Sequence, residues 1–223
     1  MITVHHLNNS RSQRILWLLE ELGVEYTIER YQRDAKTMLA PEALKSVHPL
    51  GKSPVVVDGK NVLAESGAII EYLADSYGAA LDLAPKVGTP ERLRYTYWLH
   101  YAEGSAMPPL LMSLIFSRIR SAPMPFFIRP IAKAIADRAM NGFVGPQVKL
   151  HLKFMNDELG TRPWFAGKKF SAADIQMSFP LEAASTRGGL GAYPNLQAFL
   201  GKIHARAAYQ RALEKGGPYE LMS

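Results

Sequence analysis

The residue period changes between His48 and Tyr77, and this change limits what the chain can fold into more than any other stretch. Lys52-Ser53-Pro54 leads into the apolar run Val55-Val56-Val57, Asp58-Gly59 has the composition of a tight hairpin turn, and Val62-Leu63-Ala64 supplies the returning strand. From Glu65-Ser66 onward, Ile69, Ile70, Leu73 and Tyr77 recur at helical spacing, so a helix begins where the second strand stops. Pro54 stands at the first residue of a strand, a position where its missing N–H does not break a ladder. Glu65-Ser66 brings a carboxylate, a hydroxyl and the free N–H groups of a helix start together. That grouping suits either an anion site or an ordinary helix cap.

The preceding segment has the same mixed character. Ile2 to His6 reads as a β-branched strand, Leu7 to Ser10 as a polar break, and Ile15, Leu16, Leu18, Leu19 and Leu22 as the apolar face of a helix stopped by Gly23. Val24, Tyr26 and Ile28 alternate with polar residues as a strand does, and Pro41 to Ser46 reads as a short helix. The order is β-α-β-α-β-β-α by Tyr77. Residues 79–90, with Pro85, Gly88 and Pro90, have linker composition, which predicts domains at 1–78 and 91–223.

No strand is expected beyond the linker. Glu91 to Leu111 has a helical pattern that Met107-Pro108-Pro109 is expected to kink or end, because proline lacks a donor and clashes with the preceding turn. The proline-rich segment from Ser121 to Pro130 reads as irregular, and Ile131 to Leu159 as a helix bent near Gly142 to Pro146. Ser171 and Asp174 form a capping box, with Phe170 and Ile175 at the staple positions, opening a helix to about Thr186. Pro194 to Gly201 and Ile203 to Lys215 read as two final helices.

Composition excludes several classes of chemistry. The chain has no cysteine, which removes disulfides, thiolate metal sites and cysteine nucleophiles, so any thiol must arrive with a ligand. No stretch approaches the ~20 apolar residues of a membrane span, and MITVHHLNN lacks the order of a signal peptide; a cytoplasmic protein without a membrane partner is expected. The net charge of +6 is scattered. Its densest patch, Arg118, Arg120, Arg129, Lys133 and Arg138, is interrupted by Pro123, Pro125 and Pro130, so no nucleic-acid partner is expected. His5 and His6 fall on opposite faces of a strand, and His48, His100, His151 and His204 have no ligand spacing. No metal is expected.

HPLGKSPVVV at 48–57, LAESGAIIEYLAD at 63–75, WFAGKKFSAAD at 164–174 and SRSQRIL at 10–16 together resemble the cytosolic glutathione S-transferases, in particular bacterial-like members with a serine at the first helix start. The resemblance spans nearly the whole chain. It implies an α/β thioredoxin-like N-terminal domain with Pro54 in the cis form, and an all-α C-terminal helical domain. It implies that glutathione is the co-substrate, that the Ser53 backbone pairs with its cysteinyl unit, and that Glu65 and Ser66 hold its γ-glutamyl end. Lys52 would offer a cation to the glycine carboxylate, and Ser10 would face the sulfur.

Ser10-x-x-Gln13 is also a capping box, so Asn9, Ser12 or a backbone N–H remain alternatives to Ser10. The second substrate implied is a small apolar electrophile or an organic hydroperoxide, with Tyr97, Tyr101 and Met107 either lining its pocket or forming an ordinary helix core. Arg14 lies either at the entrance to that pocket or on the surface. A homodimer is implied by the family alone. The competing reading is a glutathione-binding or regulatory module of the same fold without efficient catalysis.

Overall fold

The computed structural model describes residues 1–186 and 189–219. Its first unit is a four-stranded mixed sheet in the order β2-β1-β3-β4, built from β1 (Ile2–Leu7), β2 (Tyr26–Tyr31), β3 (Val55–Asp58) and β4 (Asn61–Ala64). β1 runs parallel to β2 and antiparallel to β3, with His5 opposite Val55 at the last rung. The parallel pair requires a crossover, which α1 (Ser12–Leu22) provides. Gly23 ends that helix at φ 65°, a left-handed conformation that glycine adopts without penalty.

β2 begins at Tyr26 rather than Val24. The Val24 N–H bonds back to the Leu19 carbonyl, so the first residue of the alternating run still belongs to the helix end. α2 (Ser66–Tyr77) follows the hairpin and packs beside α1.

The rest is helical: α3 (Pro90–Tyr101), α4 (Met107–Ser121), α5 (Arg129–Ala139), α6 (Gly145–Thr161), α7 (Ala172–Ser185), α8 (Pro194–His204) and α9 (Ala207–Gly216). Pro108 and Pro109 do not end the helical path, one of the two outcomes the sequence leaves open. A π-turn over Ala102–Ala106 separates α3 from α4, and the Met107 N–H closes it on the Ala102 carbonyl. The two prolines stand directly after that turn, at the start of α4, where the hydrogen-bond register has already widened to accommodate them. The same device recurs at Met140–Val144, where a π-turn precedes Pro146 in the bend expected near Gly142. α9 starts at Ala207 rather than Ile203, because extended Arg206 breaks the path from α8.

α7 is buried along nearly its whole length and packs against α1, α2 and α3, joining the sheet unit to the helical one. Its start depends on Asp174, whose fully buried carboxylate accepts hydrogen bonds from the Phe165 and Ser171 N–H groups, both at 2.9 Å, and from the Ser171 hydroxyl at 3.0 Å. Burial pushes this carboxyl up to about 6 against the pull of those donors. Asp174→Ala leaves buried N–H groups without acceptors and is expected to lower the unfolding free energy by about 2–4 kcal/mol, while Ser171→Ala should cost about 1 kcal/mol. Urea denaturation measures both. The folded carboxyl value lies above the unfolded ~3.9, so stability relative to Asp174→Asn is greatest below pH ~4 and is lost as pH rises through ~6.

Candidate functional site

The loop between β1 and α1 is tied down by the segment that follows β2. The Asn8 side-chain oxygen accepts from the Arg33 N–H at 2.9 Å, and the Arg33 guanidinium donates to the Asn8, Asn9 and Met38 carbonyls. Asn9 takes φ 50°, a left-handed conformation that asparagine tolerates better than most residues, and the chain then turns into α1. Ser10 follows at 4% exposure, beside the N-terminus of α1. The expected capping box does not form: the Ser10 hydroxyl oxygen accepts from the Ser12 N–H at 3.2 Å and lies 2.7 Å from the Ser12 hydroxyl. Gln13 meets only the Ser10 carbonyl, through its own N–H.

Burial lowers the His6 imidazole to about 4, so the ring is neutral near pH 7. The fully buried Ser12 hydroxyl has two inward acceptors, a neutral His6 ring with Nδ1 at 2.8 Å and the Leu7 carbonyl at 3.3 Å, and a proton directed to either leaves its oxygen to accept from Ser10. Ser12 faces inward with its proton committed. Ser10 carries the proton that can move.

Ser53 is locked to β1, donating to the His5 carbonyl at 2.8 Å and accepting from the Leu7 N–H at 3.2 Å. The β1–β3 ladder stops at Val55, so the Ser53 backbone lies beyond its last pair; the Ser53-Pro54 bond is cis. Glu65 adopts φ 68°, uncommon for a side-chain-bearing residue and a form of strain that concentrates at binding sites. Ser66 opens α2, and its hydroxyl does not cap the helix: it accepts from Arg14.

Arg14 is neither a pocket residue nor a surface one. It is 2% exposed and donates to the Ser66 hydroxyl, to the Gln176 carbonyl at 2.6 Å and to Glu103, which also receives Arg11 at 2.8 Å. Burial alone would raise the Glu103 carboxyl, but Arg14 and Arg11 hold it below the usual carboxylate range. Glu103 reaches the cluster from the first π-turn of the helical unit.

Ser10, Lys52, Ser53, Pro54, Glu65 and Ser66 line one cleft of about 450 Å³, together with Arg11, Arg33, His48 and Glu103. A second cavity of about 470 Å³ shares Arg11, Arg33 and Met38 with the first and continues over Met107, Leu110, Leu114 and Phe179. Met107 is thus where a second ligand would lie, but Tyr97 and Tyr101 are not. Tyr101 is buried, with its hydroxyl 2.5 Å from His151 and its ring against Trp98 and Phe154. Tyr97, 49% exposed, lines a separate groove with Leu93, Arg94 and Phe154. Both belong to the aromatic core of the helical unit, because the helix face they share turns toward α6. Among the described residues no cluster of side chains is suited to a metal.

Residues 1–75 match the family model for the glutathione S-transferase N-terminal domain, and residues 124–207 the one for the C-terminal domain. Glutathione S-transferase 1 of Saccharomyces cerevisiae is 35% identical, with 96% of this chain and 95% of that protein covered. The chain belongs to the glutathione S-transferase family. A glutathione S-transferase from Actinobacillus pleuropneumoniae has a solved structure that superposes with a TM-score of 0.79 at 34% identity, covering 99% of this chain and 95% of that one. A sphingomonad glutathione S-transferase complexed with glutathione gives 0.74 at 29% identity, covering 96% and 98%.

The family's thioredoxin-like sheet unit and helical unit are therefore those described above. Arg11, Arg33 and Glu103 escaped the sequence reading. Arg11 could have been suspected from its place beside Ser10, whereas Arg33 and Glu103 reach the cleft only through the fold. Arg14→Met is expected to lower the unfolding free energy by about 2–4 kcal/mol, since Ser66 and Gln176 lose a buried donor and Glu103 keeps only Arg11. It should also weaken glutathione binding through loss of Ser66 positioning; denaturation and calorimetric titration measure the two effects.

Proposed function

We infer that this chain is a glutathione transferase that ionises the glutathione thiol in the first cleft and delivers the sulfur to an apolar electrophile held in the second. The observation that carries this reading is the Ser10 hydroxyl at the N-terminus of α1, in a cleft that shares Arg11 and Arg33 with an apolar cavity. In this reading Glu65 takes the γ-glutamyl ammonium, Ser66 and the start of α2 take its carboxylate, and the Ser53 backbone pairs with the cysteinyl unit. Lys52 offers a cation to the glycine carboxylate.

The energies required are modest. A thiol near ~8.5 needs about 2.7 kcal/mol of preference for its anion to ionise two units lower. A hydrogen bond to a charged acceptor contributes roughly 1.5–3 kcal/mol and a helix N-terminus up to ~1–2 kcal/mol. As the bound thiol loses its proton to solvent, Ser10 turns its own proton from Ser12 to the sulfur, while Ser12 keeps the Leu7 N–H at 3.3 Å. The Ser12 N–H stays on the Ser10 oxygen, so only one bond exchanges. The thiolate then forms a C–S bond as a leaving group departs with its electron pair. With an organic hydroperoxide it would attack oxygen and break the O–O bond, and a second glutathione would release the disulfide; this side activity is part of the proposal.

Residues 1–78 would form the glutathione-binding domain and 91–223 the electrophile-binding one, joined by 79–90; residues 187–188 and 220–223 fall outside those described. No helix among the described residues is long and apolar enough to cross a membrane. A cytoplasmic homodimer completes the proposal. Light scattering should return twice the 24.8 kDa chain mass, and the mass of one chain would remove the dimer from it.

The test of the chemistry is the ultraviolet thiolate band of bound glutathione across a pH titration. It should appear well below pH 8 in the wild type and move upward by about 1–2 units in Ser10→Ala, with kcat falling roughly ten- to a hundredfold and glutathione affinity changing far less. Binding without a lowered thiol pKa would point to the non-catalytic module instead.

A further inference from the structure

The second cavity is lined by both apolar and cationic side chains. Met107, Leu110 and Leu114 share α4 with Arg118, the Arg11 guanidinium lies 4.8 Å from the Phe179 ring centroid, Arg33 also lines the cavity, and no carboxylate does so among the described residues. Arg33 and Arg118 form no ion pair among the described residues, and Arg11 shares the single Glu103 carboxylate with Arg14. Arg33 is half-buried, bonded only to backbone carbonyls, and held in its less favourable charged form against burial and repulsion from Arg11. Guanidinium groups gathered without an acid, beside an apolar wall, lack an anionic partner.

Glutathione does not supply this partner under the reading above. Its γ-glutamyl carboxylate goes to Ser66, and Lys52 and His48 line the first cleft without touching the second, so cations for the glycine carboxylate exist away from Arg118. We propose that the second cavity selects amphipathic electrophiles, with an aromatic or aliphatic body on Met107, Leu110, Leu114 and Phe179 and a carboxylate between Arg33 and Arg118. This rests on the conjugation reading and names the substrate class of its second site. The carboxylate stays attached and unreacted. The thiolate forms the C–S bond at the activated carbon, and the leaving group departs with the bonding pair, so no further reactant is needed.

A matched pair of electrophiles tests it: chloronitrobenzoate and its methyl ester, each assayed with glutathione and normalised to its own uncatalysed rate with glutathione thiolate in buffer. The normalised kcat/KM of the benzoate should exceed that of the ester by roughly three- to tenfold, a margin that shrinks as salt is raised. In Arg118→Met, an exposed position where folding is not at risk, the ratio should fall toward one through a higher KM for the benzoate. Arg33→Met should do the same. A wild-type ratio at or below one, or a ratio unchanged in both variants, overturns the proposal. A rise in glutathione KM with both electrophiles in Arg33→Met would assign that guanidinium to the tripeptide and overturn its place here. Absence of turnover above the uncatalysed rate with either electrophile would instead overturn the transferase reading itself.

Discussion

The guanidinium of Arg14 crosses the packed seam of α1, α2 and α7 and adds a polar tie to the apolar core they share. It leaves α1 at a fully buried position and bonds to the first residue of α2, to a backbone carbonyl of α7 and to the π-turn carboxylate of Glu103. A charge buried to this degree needs partners, and the two terminal nitrogens find them on α2, α7 and the π-turn, which ties the sheet unit to the helical one. The ligand cleft lies along the seam so defined. Ser66 is held by the network, and Arg11, the neighbour of Ser10 in the cleft, is held by Glu103.

The other half of the site is set by hydrogen-bond direction rather than by charge. The inward acceptors of Ser12, the His6 ring and the Leu7 carbonyl, draw its proton away from the cleft and leave its oxygen to accept from Ser10. The packing behind this arrangement is dense: α9 lies on α1, and a Cβ placed on Gly216 would come within 2.3 Å of the Gln13 side chain. Glycine at 216 is what lets the end of α9 approach α1 this closely.

Several elements were legible from the sequence because their causes are local. The hairpin at Asp58-Gly59, the stop at Gly23 and the box at Ser171-Asp174 depend on residues within a few positions of one another, and each occurs where its pattern stands. The prolines after Met107 left two outcomes open, a kink or an end, and the sequence did not decide between them. The path continues to Ser121 after a π-turn at Ala102–Ala106, which has no sequence signature. Tyr97 and Tyr101 stayed open between pocket and core because periodicity shows which residues share a helix face but not which neighbour that face meets.

By itself the sequence determined the order of the elements and the absence of a protein thiol, while its resemblance to a family pointed to Ser10, Lys52, Ser53, Pro54, Glu65 and Ser66, which line the first cleft. Caps, turns and helical or strand periods arise from contacts a few residues apart, and a linear reading captures those. The tertiary structure alone decided that Arg14 would be buried, that Glu103 would join it from the other unit, and that Arg11, Arg33 and Arg118 would surround one cavity. These residues are separated by tens of positions or more, and their meeting depends on how α7 seats the helices against the sheet, which no local pattern encodes.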